Sequence, residues 1–515
     1  MSRYRAYMFV SLQAGVLEQD ALEVLSLIRS MKNHLAPINR IPPDVFSLVL
    51  GYWSDTDMDE ILITMTHVCH GWRELLIART WLWARLDCTN VDKTRVYIER
   101  AKLSRMRISL FEDQDQPYLE QAFLLAVPHI RRLKSLTIVG ASDIFQNLTK
   151  LLTIPTPSLE ELTIVLWCDP APNLDNTLFS GAHSLRRLCL RGSIADLPWK
   201  NLRNLTSFEL CTPYDPIVVT RFLAFLENAP LLRDIRLFGL IPTSSNAPPG
   251  RVVFLPHLEE LSIYAHPTHS VLNHISIPVN ALLTLDFSFS GDKSPLPDCL
   301  PMTAKNLQNL SWITKVNLCF DGRKRLVQLS GPSGALDICG RWESDVKVTP
   351  SLGLDYQIMR SLDYFTLSGI ERMMVTKYRS LVPTIIENST PYYTLDRMGD
   401  LRTLTLVQCN DLPFIFTLDP GENYLRRLLC PKLEELVLYI ETHKPFNITE
   451  LMDMARRRAS KNAKLSLITI IGLGDLVSEK ANGVLKLRKH VTRVEYRTEK
   501  KPPQWSTTTH RKSFY

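Results

Sequence analysis

The chain reads as an α/β protein: a small N-terminal helical domain, then a long array of short parallel strands. Three observations predict this. A phrase L-x-x-L-x-L, where L is any large aliphatic residue or Phe, returns from Leu133 to Ile470. Between Arg40 and Trp83 the large apolar residues fall at helical rather than alternating spacing. The composition, 515 residues with 45% hydrophobic and 22% charged, is that of a chain able to bury more than one core.

Residues 1–39 hold one amphipathic helix, with Leu17, Ala21, Val24, Leu25, Ile28 and Met31 on one stripe. It is expected to pack beside the helices that follow, since so few turns do not argue for self-association. Arg3 and Arg5 before an apolar run give only a faint likeness to a targeting peptide. Ser11 and Gln13 interrupt that run, and no small-residue cleavage site follows.

Residues 40–86 form the block on which function turns. Ile41-Pro42-Pro43 is an extended lead-in, because Pro fixes φ and the residue before it avoids the helical region. Pro43-Asp44 opens a helix carrying Val45, Phe46, Val49 and Leu50. A polar break at Ser54–Glu60 precedes a second helical run through Ile61, Leu62, Met65, Val68, Cys69 and Trp72, and the block closes on Trp81-Leu82-Trp83. It holds more large apolar side chains than about 45 residues bury alone, so a surplus is expected to face a neighbour.

Ile-Pro-Pro-Asp-Val-Phe, then Val-Cys-His-Gly-Trp-Arg, then Trp-Leu-Trp resembles an F-box, nearest to the F-box-like proteins abundant in mushroom-forming fungi. Ile41 stands where that family opens on Leu, and Ser54–Glu60 lengthens the first interhelix connection. The resemblance implies docking of a Skp-type adaptor, and through it a cullin scaffold, by Ile41, Pro42, Pro43, Val45, Phe46, Val49, Val68, Cys69, Trp72, Trp81, Leu82 and Trp83. The competing reading is that these residues are only the core of a helical cap.

Residues 87–130 are a connector, with a helix over Val91–Ala101 and a strand over Arg107–Phe111. It lacks a flexible Gly/Ser or Pro-rich stretch, which predicts rigid coupling. Residues 131–498 carry twelve copies of the phrase. The first seven, from Leu133 to Leu282, start 26, 26, 20, 27, 26 and 24 residues apart. This period is the signature of a leucine-rich-repeat solenoid with a parallel sheet on its concave face. The later copies begin at Ile313, Leu362, Leu401, Leu433 and Leu465, and Gly322–Asp345 is the least regular part. The Asn or Cys that usually follows the phrase is mostly missing, so the solenoid is expected to be irregular. Residues 499–515 are expected to be a disordered basic tail. Between Lys480 and Tyr515, ten Lys and Arg face two acidic residues, so the net charge of +7 is local to that end.

The sequence carries no recognisable active site. Asp55-x-Asp57-x-Asp59 imitates a calcium loop but has Glu60 where Gly is needed and Thr66 where the bidentate Glu belongs. His67, Cys69 and His70 point in different directions on a helix, and His266, His269 and His274 sit in a loop. No phosphate loop, dinucleotide fingerprint or nucleophile elbow is present. No cofactor, metal or membrane span is expected, nucleic-acid binding by the tail is the weaker reading, and a cytoplasmic or nuclear location follows. The ten cysteines lack a Cys-x-x-Cys pair and read as small buried hydrophobes.

What remains is a binding face. The x positions of the phrase point away from the L positions. They include Arg191, Arg236, Phe238, Tyr264 and Tyr439, expected to hold a protein target, with the aromatics as anchors. The resemblance and the repeats together imply a substrate receptor of an SCF-type ubiquitin ligase without an active site of its own. The alternative is a non-ligase scaffold whose F-box-like block has drifted.

Overall fold

The computed structural model describes residues 2–51, 58–111, 118–140, 155–166, 181–192, 202–212, 218–240, 248, 250–266, 269–289, 300, 304–321, 324–332, 334–342, 362, 365–376, 385–409, 413–421, 427–441, 448–473 and 486–499. The chain divides into two compact units, Met1–Glu161 and Leu162–Tyr515. Most of Ser54–Glu60, Asp55 and Asp57 among them, and the residues after Glu499 lie outside the described residues.

The first unit starts with α1 (Ser2–Leu35), followed by α2 (Pro43–Gly51), α3 (Met58–Thr66) and α4 (His70–Ala78). A single 3-10 turn, Thr80–Trp83, leads into β1 (Arg85–Leu86). Then come α5 (Val91–Ala101), β2 (Met106–Phe111), α6 (Leu119–Ala126) and β3 (Leu133–Gly140). The first turn of α2 closes with the Phe46 N–H donating to Pro42 O. Asn90 caps α5, its side-chain oxygen accepting from Lys93 N at 2.9 Å. The strands β1, β2 and β3 pair in parallel, so the connector is itself part of a sheet.

The core of this unit centres on Trp83. Its Nε1 donates to Leu76 O at 2.9 Å, Tyr97 meets it edge-on at 5.1 Å, and the Arg100 guanidinium lies 4.3 Å over its ring. The structure corrects the expectation for α1. Its described side chains from Ser11 to Lys32 are exposed, including Leu17, Val24, Leu25, Ile28 and Met31, so its apolar stripe does not pack on the following helices.

The second unit is built on a large, mostly parallel sheet. Its strands are β4 (Glu161–Leu166), β5 (Arg187–Arg191), β6 (Ser207–Thr212), β7 (Asp234–Leu240), β8 (Val253–Phe254), β9 (Glu260–His266), β10 (Ile275–Ser276) and β11 (Leu282–Phe289). They continue with β12 (Lys315–Asp321), β13 (Lys324–Ser330), β14 (Ala335–Trp342), β15 (Arg372–Thr376), β16 (Thr403–Val407), β17 (Glu435–Glu441), β18 (Leu467–Leu473) and β19 (Arg493–Glu499). The helices are α7 (Val219–Asn228), α8 (His269–Leu272), α9 (Ile385–Asp396), α10 (Pro413–Leu418) and α11 (Ile448–Ser460). The parallel run β5–β6–β7–β9–β11 is followed by β14, and β12–β15–β16–β17–β18–β19 resumes it. The small pair β8–β10 stands apart as its own two-stranded sheet.

The L positions face inward as the phrase predicts: Leu162, Leu188, Phe208, Ile235, Leu261, Leu404, Leu436 and Ile468 are all buried. Behind them α7 contributes Phe222, Leu223 and Phe225, with Phe225 packed 4.5 Å from Phe208. Arg458 on α11 is wholly buried, and its two terminal nitrogens each donate at 2.8 Å to backbone carbonyls, of Leu429 and Cys430.

Three expectations shift. At the seventh copy, Leu283 and Leu285 pair with Leu261 and Ile263, so the inward register is not the one read from Leu282, Leu285 and Phe287. At the ninth, the strand belongs to Ile370, Met373 and Val375, while Leu362, Phe365 and Leu367 are buried ahead of it. The third is topological: β13 joins β12 and β14 antiparallel, so β14, not β12, lies beside β11. Connections of two and four residues leave no room for the crossover a parallel neighbour needs. The buried alternation Val327, Leu329 and Leu336, Ile338 supplies the inward face of this hairpin pair.

Candidate functional site

Two surfaces gather the residues singled out in the sequence. The first is on the N-terminal helices. α2 is split lengthwise: Phe46 and Leu50 turn inward, whereas Val45, Leu48 and Val49 are exposed. That division is a helical one, since residues three and four apart share a face. The Ile41-Pro42-Pro43 lead-in sets the start of the helix and leaves Pro42 and Pro43 exposed, with Ile41 half-buried. Arg79 Nη2 reaches Asp44 Oδ1 at 3.1 Å, tying the end of α4 to the first turn of α2. Val68 and Trp81 are also exposed.

The remaining predicted docking residues lie deeper. Phe46 is buried against Trp72, ring centroids 4.9 Å apart, and Trp72 Nε1 donates to Asn39 Oδ1. Cys69 and Trp72 are half-buried. Leu82 and Trp83 are buried core residues, which corrects their reading as contact residues: they hold the helices together and present no surface. Leu48 and Ile63, which lie outside the predicted docking set, are exposed as well. Leu48 was legible, because it sits three residues after Val45 on the same face.

Beside α2 lies a cleft of about 420 Å³, lined by Ser26, Arg29, Ser30 and Asn33 of α1 and by residues that include Ile41, Phe46 and Trp72. The part of α1 that faces it is polar.

The second surface is the outward face of the sheet in the second unit. Parallel pairing stacks its residues into rows across β5, β6, β7 and β9: Arg187–Ser207–Asp234–Glu260, then Cys189–Glu209–Arg236–Ser262, then Arg191–Cys211–Phe238–Tyr264. Arg191 donates twice to Glu209 Oε1, at 2.9 and 2.7 Å. Burial works against its charge, but the hydrogen bond and charge of Glu209 outweigh it and raise its pKa. Arg236 lies 3.3 Å from Asp234 Oδ1 and 3.8 Å from Glu260 Oε2. Burial raises the Asp234 pKa, with Glu260 adding to the rise and Arg236 opposing it. The two arginines are therefore held by their own carboxylates.

Phe238 and Tyr264 stack face to face, centroids 4.3 Å apart and 5° from parallel, both half-buried. They form a flat aromatic plate flanked by charge. Tyr439 shares their row but sits on β17, seven ladder steps from β9, about 34 Å away at sheet spacing. The structure thus brings Arg191, Arg236, Phe238 and Tyr264 together and leaves Tyr439 apart. Glu209 and Asp234, the partners that hold the arginines, occupy x positions of their own strands and could have been read from the same phrase.

Among the described residues no His, Cys, Asp and Glu group has metal-binding geometry, and no helix is long and apolar enough to cross a membrane. Cys88, Cys189 and Cys430 are thiols pushed up to about 12 by burial. Comparison of the chain with protein-family models and with curated proteins finds no match.

Proposed function

We propose that this chain is a substrate receptor of an SCF-type ubiquitin ligase. The N-terminal helices dock a Skp-type adaptor, the second unit is an irregular leucine-rich-repeat solenoid, and its outward sheet face takes a protein target. Catalysis is left to other subunits, and the receptor contributes proximity. The observation that carries the docking half is α2: Val45, Leu48 and Val49 stay exposed on one face while Phe46 and Leu50 anchor the other. A helix that only capped the chain would have little reason to keep three large aliphatics in water. The Phe238–Tyr264 plate among paired charges supports the target half, since stacked aromatics make low-entropy anchors.

The test is co-purification of the full chain with a Skp-type adaptor, wild type beside Val45→Asp. A stoichiometric complex formed by wild type and lost in the folded variant is expected. Absence of binding by the folded wild-type chain overturns the reading. The second reading, a scaffold that docks no adaptor, draws on Phe46, Leu82 and Trp83 being interior.

A further inference from the structure

The exposed stripe of α1 has a regular spacing. Ala14, Leu17, Ala21, Val24, Ile28, Met31 and Leu35 follow one another by alternating steps of three and four, a heptad seam. Leu17, Val24, Ile28, Met31 and Leu35 are all exposed. The residues of α1 that line the cleft, Ser26, Arg29, Ser30 and Asn33, lie roughly 180° around the helix from the seam's centre. So between Ser26 and Asn33 the residues of α1 that face the cleft are polar, and the seam points away from it.

We propose that this seam pairs with the same helix of a second copy, antiparallel, in a homodimeric coiled coil. Two features of the sequence choose the partner and its direction. When α1 is laid against a reversed copy of itself, Leu17 meets Leu35, Val24 meets Ile28, and the small Ala21 meets the long Met31. The positions beside the seam then place Glu18 against Lys32 of the second copy, at both ends of the dimer. They also place Leu25 against Leu25 and Leu27 against Leu27 at the dyad, which accounts for two exposed leucines that lie off the seam. A parallel copy does none of this. It sets Asp20 beside Leu25 and Leu27 beside Lys32, and joins no opposite charges along the flanks from Gln13 to Lys32. The strict step of three and four also matches a supercoil better than a flat packing surface. This inference does not depend on adaptor docking, because the seam lies on the side of α1 opposite the cleft.

The test is the mass of the full chain in solution by light scattering at micromolar concentration, where twice 58.9 kDa is expected. Val24→Asp with Ile28→Asp should give a monomer; both side chains are exposed, so circular dichroism should show the rest of the fold unchanged. Glu18→Lys alone should raise the dimer Kd about tenfold, and Glu18→Lys with Lys32→Glu should restore it. Direction is read by oxidising a mixture of Leu17→Cys and Leu35→Cys chains and identifying the linked peptides by mass spectrometry. A 17-to-35 link is expected. A full chain that stays monomeric across that range, or links of 17 to 17 and 35 to 35, overturns the proposal.

Discussion

Replacing Val45, Leu48 and Val49 together by alanine separates a docking face from an interior. These side chains are 47%, 66% and 49% exposed. Fully burying one side chain of this size is worth about 1.5–3 kcal/mol. Half of that remains to be gained at each valine and two thirds at the leucine, so a partner that covers the face gains on the order of 3 kcal/mol from it. Alanine keeps the β-carbon and forfeits about two thirds of the gain. Adaptor affinity should therefore fall by about 2 kcal/mol, roughly thirtyfold in Kd. The fold should hardly notice, because exposed substitutions usually stay within about 0.5 kcal/mol and alanine is the better helix former.

Phe46→Ala is the control in the opposite sense. Phe46 is 7% exposed and packed on Trp72, and emptying such a site costs about 3–5 kcal/mol of stability. A thermal melt and an adaptor titration on the full chain, run for both variants, give the comparison. The reasoning is refuted if the triple alanine chain melts as early as Phe46→Ala, or if it stays folded and binds the adaptor as well as wild type.

Four further outcomes are expected. Arg458→Met takes the side-chain donor from the carbonyl of Leu429 and one of two donors from that of Cys430, which keeps the Leu433 N–H, so denaturant unfolding should show a loss of about 1–3 kcal/mol. Gly239→Ala would bring a β-carbon to 2.1 Å from Thr212 O at a φ of +126°, and should lower the melting midpoint severely, whereas Gly250→Ala, with open space around it, should cost less. Cys88 and Cys430 keep their protons in the folded chain to about pH 12, while an unfolded thiol ionises near 9.0, so the unfolded state holds fewer protons above that value. Stability should accordingly fall by about 1.4 kcal/mol per pH unit for each buried thiol between those limits, and Cys430→Ala should soften the slope of an alkaline melt series. Finally, Phe238→Ala with Tyr264→Ala should weaken capture of a protein target far more than Tyr439→Ala, measured against one target in the same assay.

The parts of the fold that the sequence revealed are those written in a local period. Leu188, Phe208 and Ile235 could be placed because a strand alternates its faces and the phrase repeats that alternation. The same rule put Arg191, Arg236, Phe238 and Tyr264 on one face. What it could not supply was distance along the sheet, so Tyr439 was grouped with residues seven strands away. Nor could it foresee the antiparallel excursion of β13, because reversal is decided by the length of two connections rather than by the phrase. The phrase also failed where Met373 stood for a leucine and a nearby Leu362-x-x-Phe365-x-Leu367 imitated it.

The N-terminal block shows a different limit. Helical spacing identified Val45, Phe46 and Val49 as apolar, but spacing alone does not say which side of α2 meets protein. Tertiary packing against Trp72 decided that, turning Phe46 in and Val45 and Val49 out. On α1 the same ambiguity went the other way: an amphipathic stripe suggested packing within the chain, yet its polar residues took the cleft side. On α2 the apolar residues left facing water share one face, away from Phe46 and Leu50, and on α1 the seam from Leu17 to Leu35 lies opposite the residues that line the cleft. A chain of this size has ample core in which to hide a handful of aliphatics, so two such faces kept outward argue for two surfaces that meet other molecules.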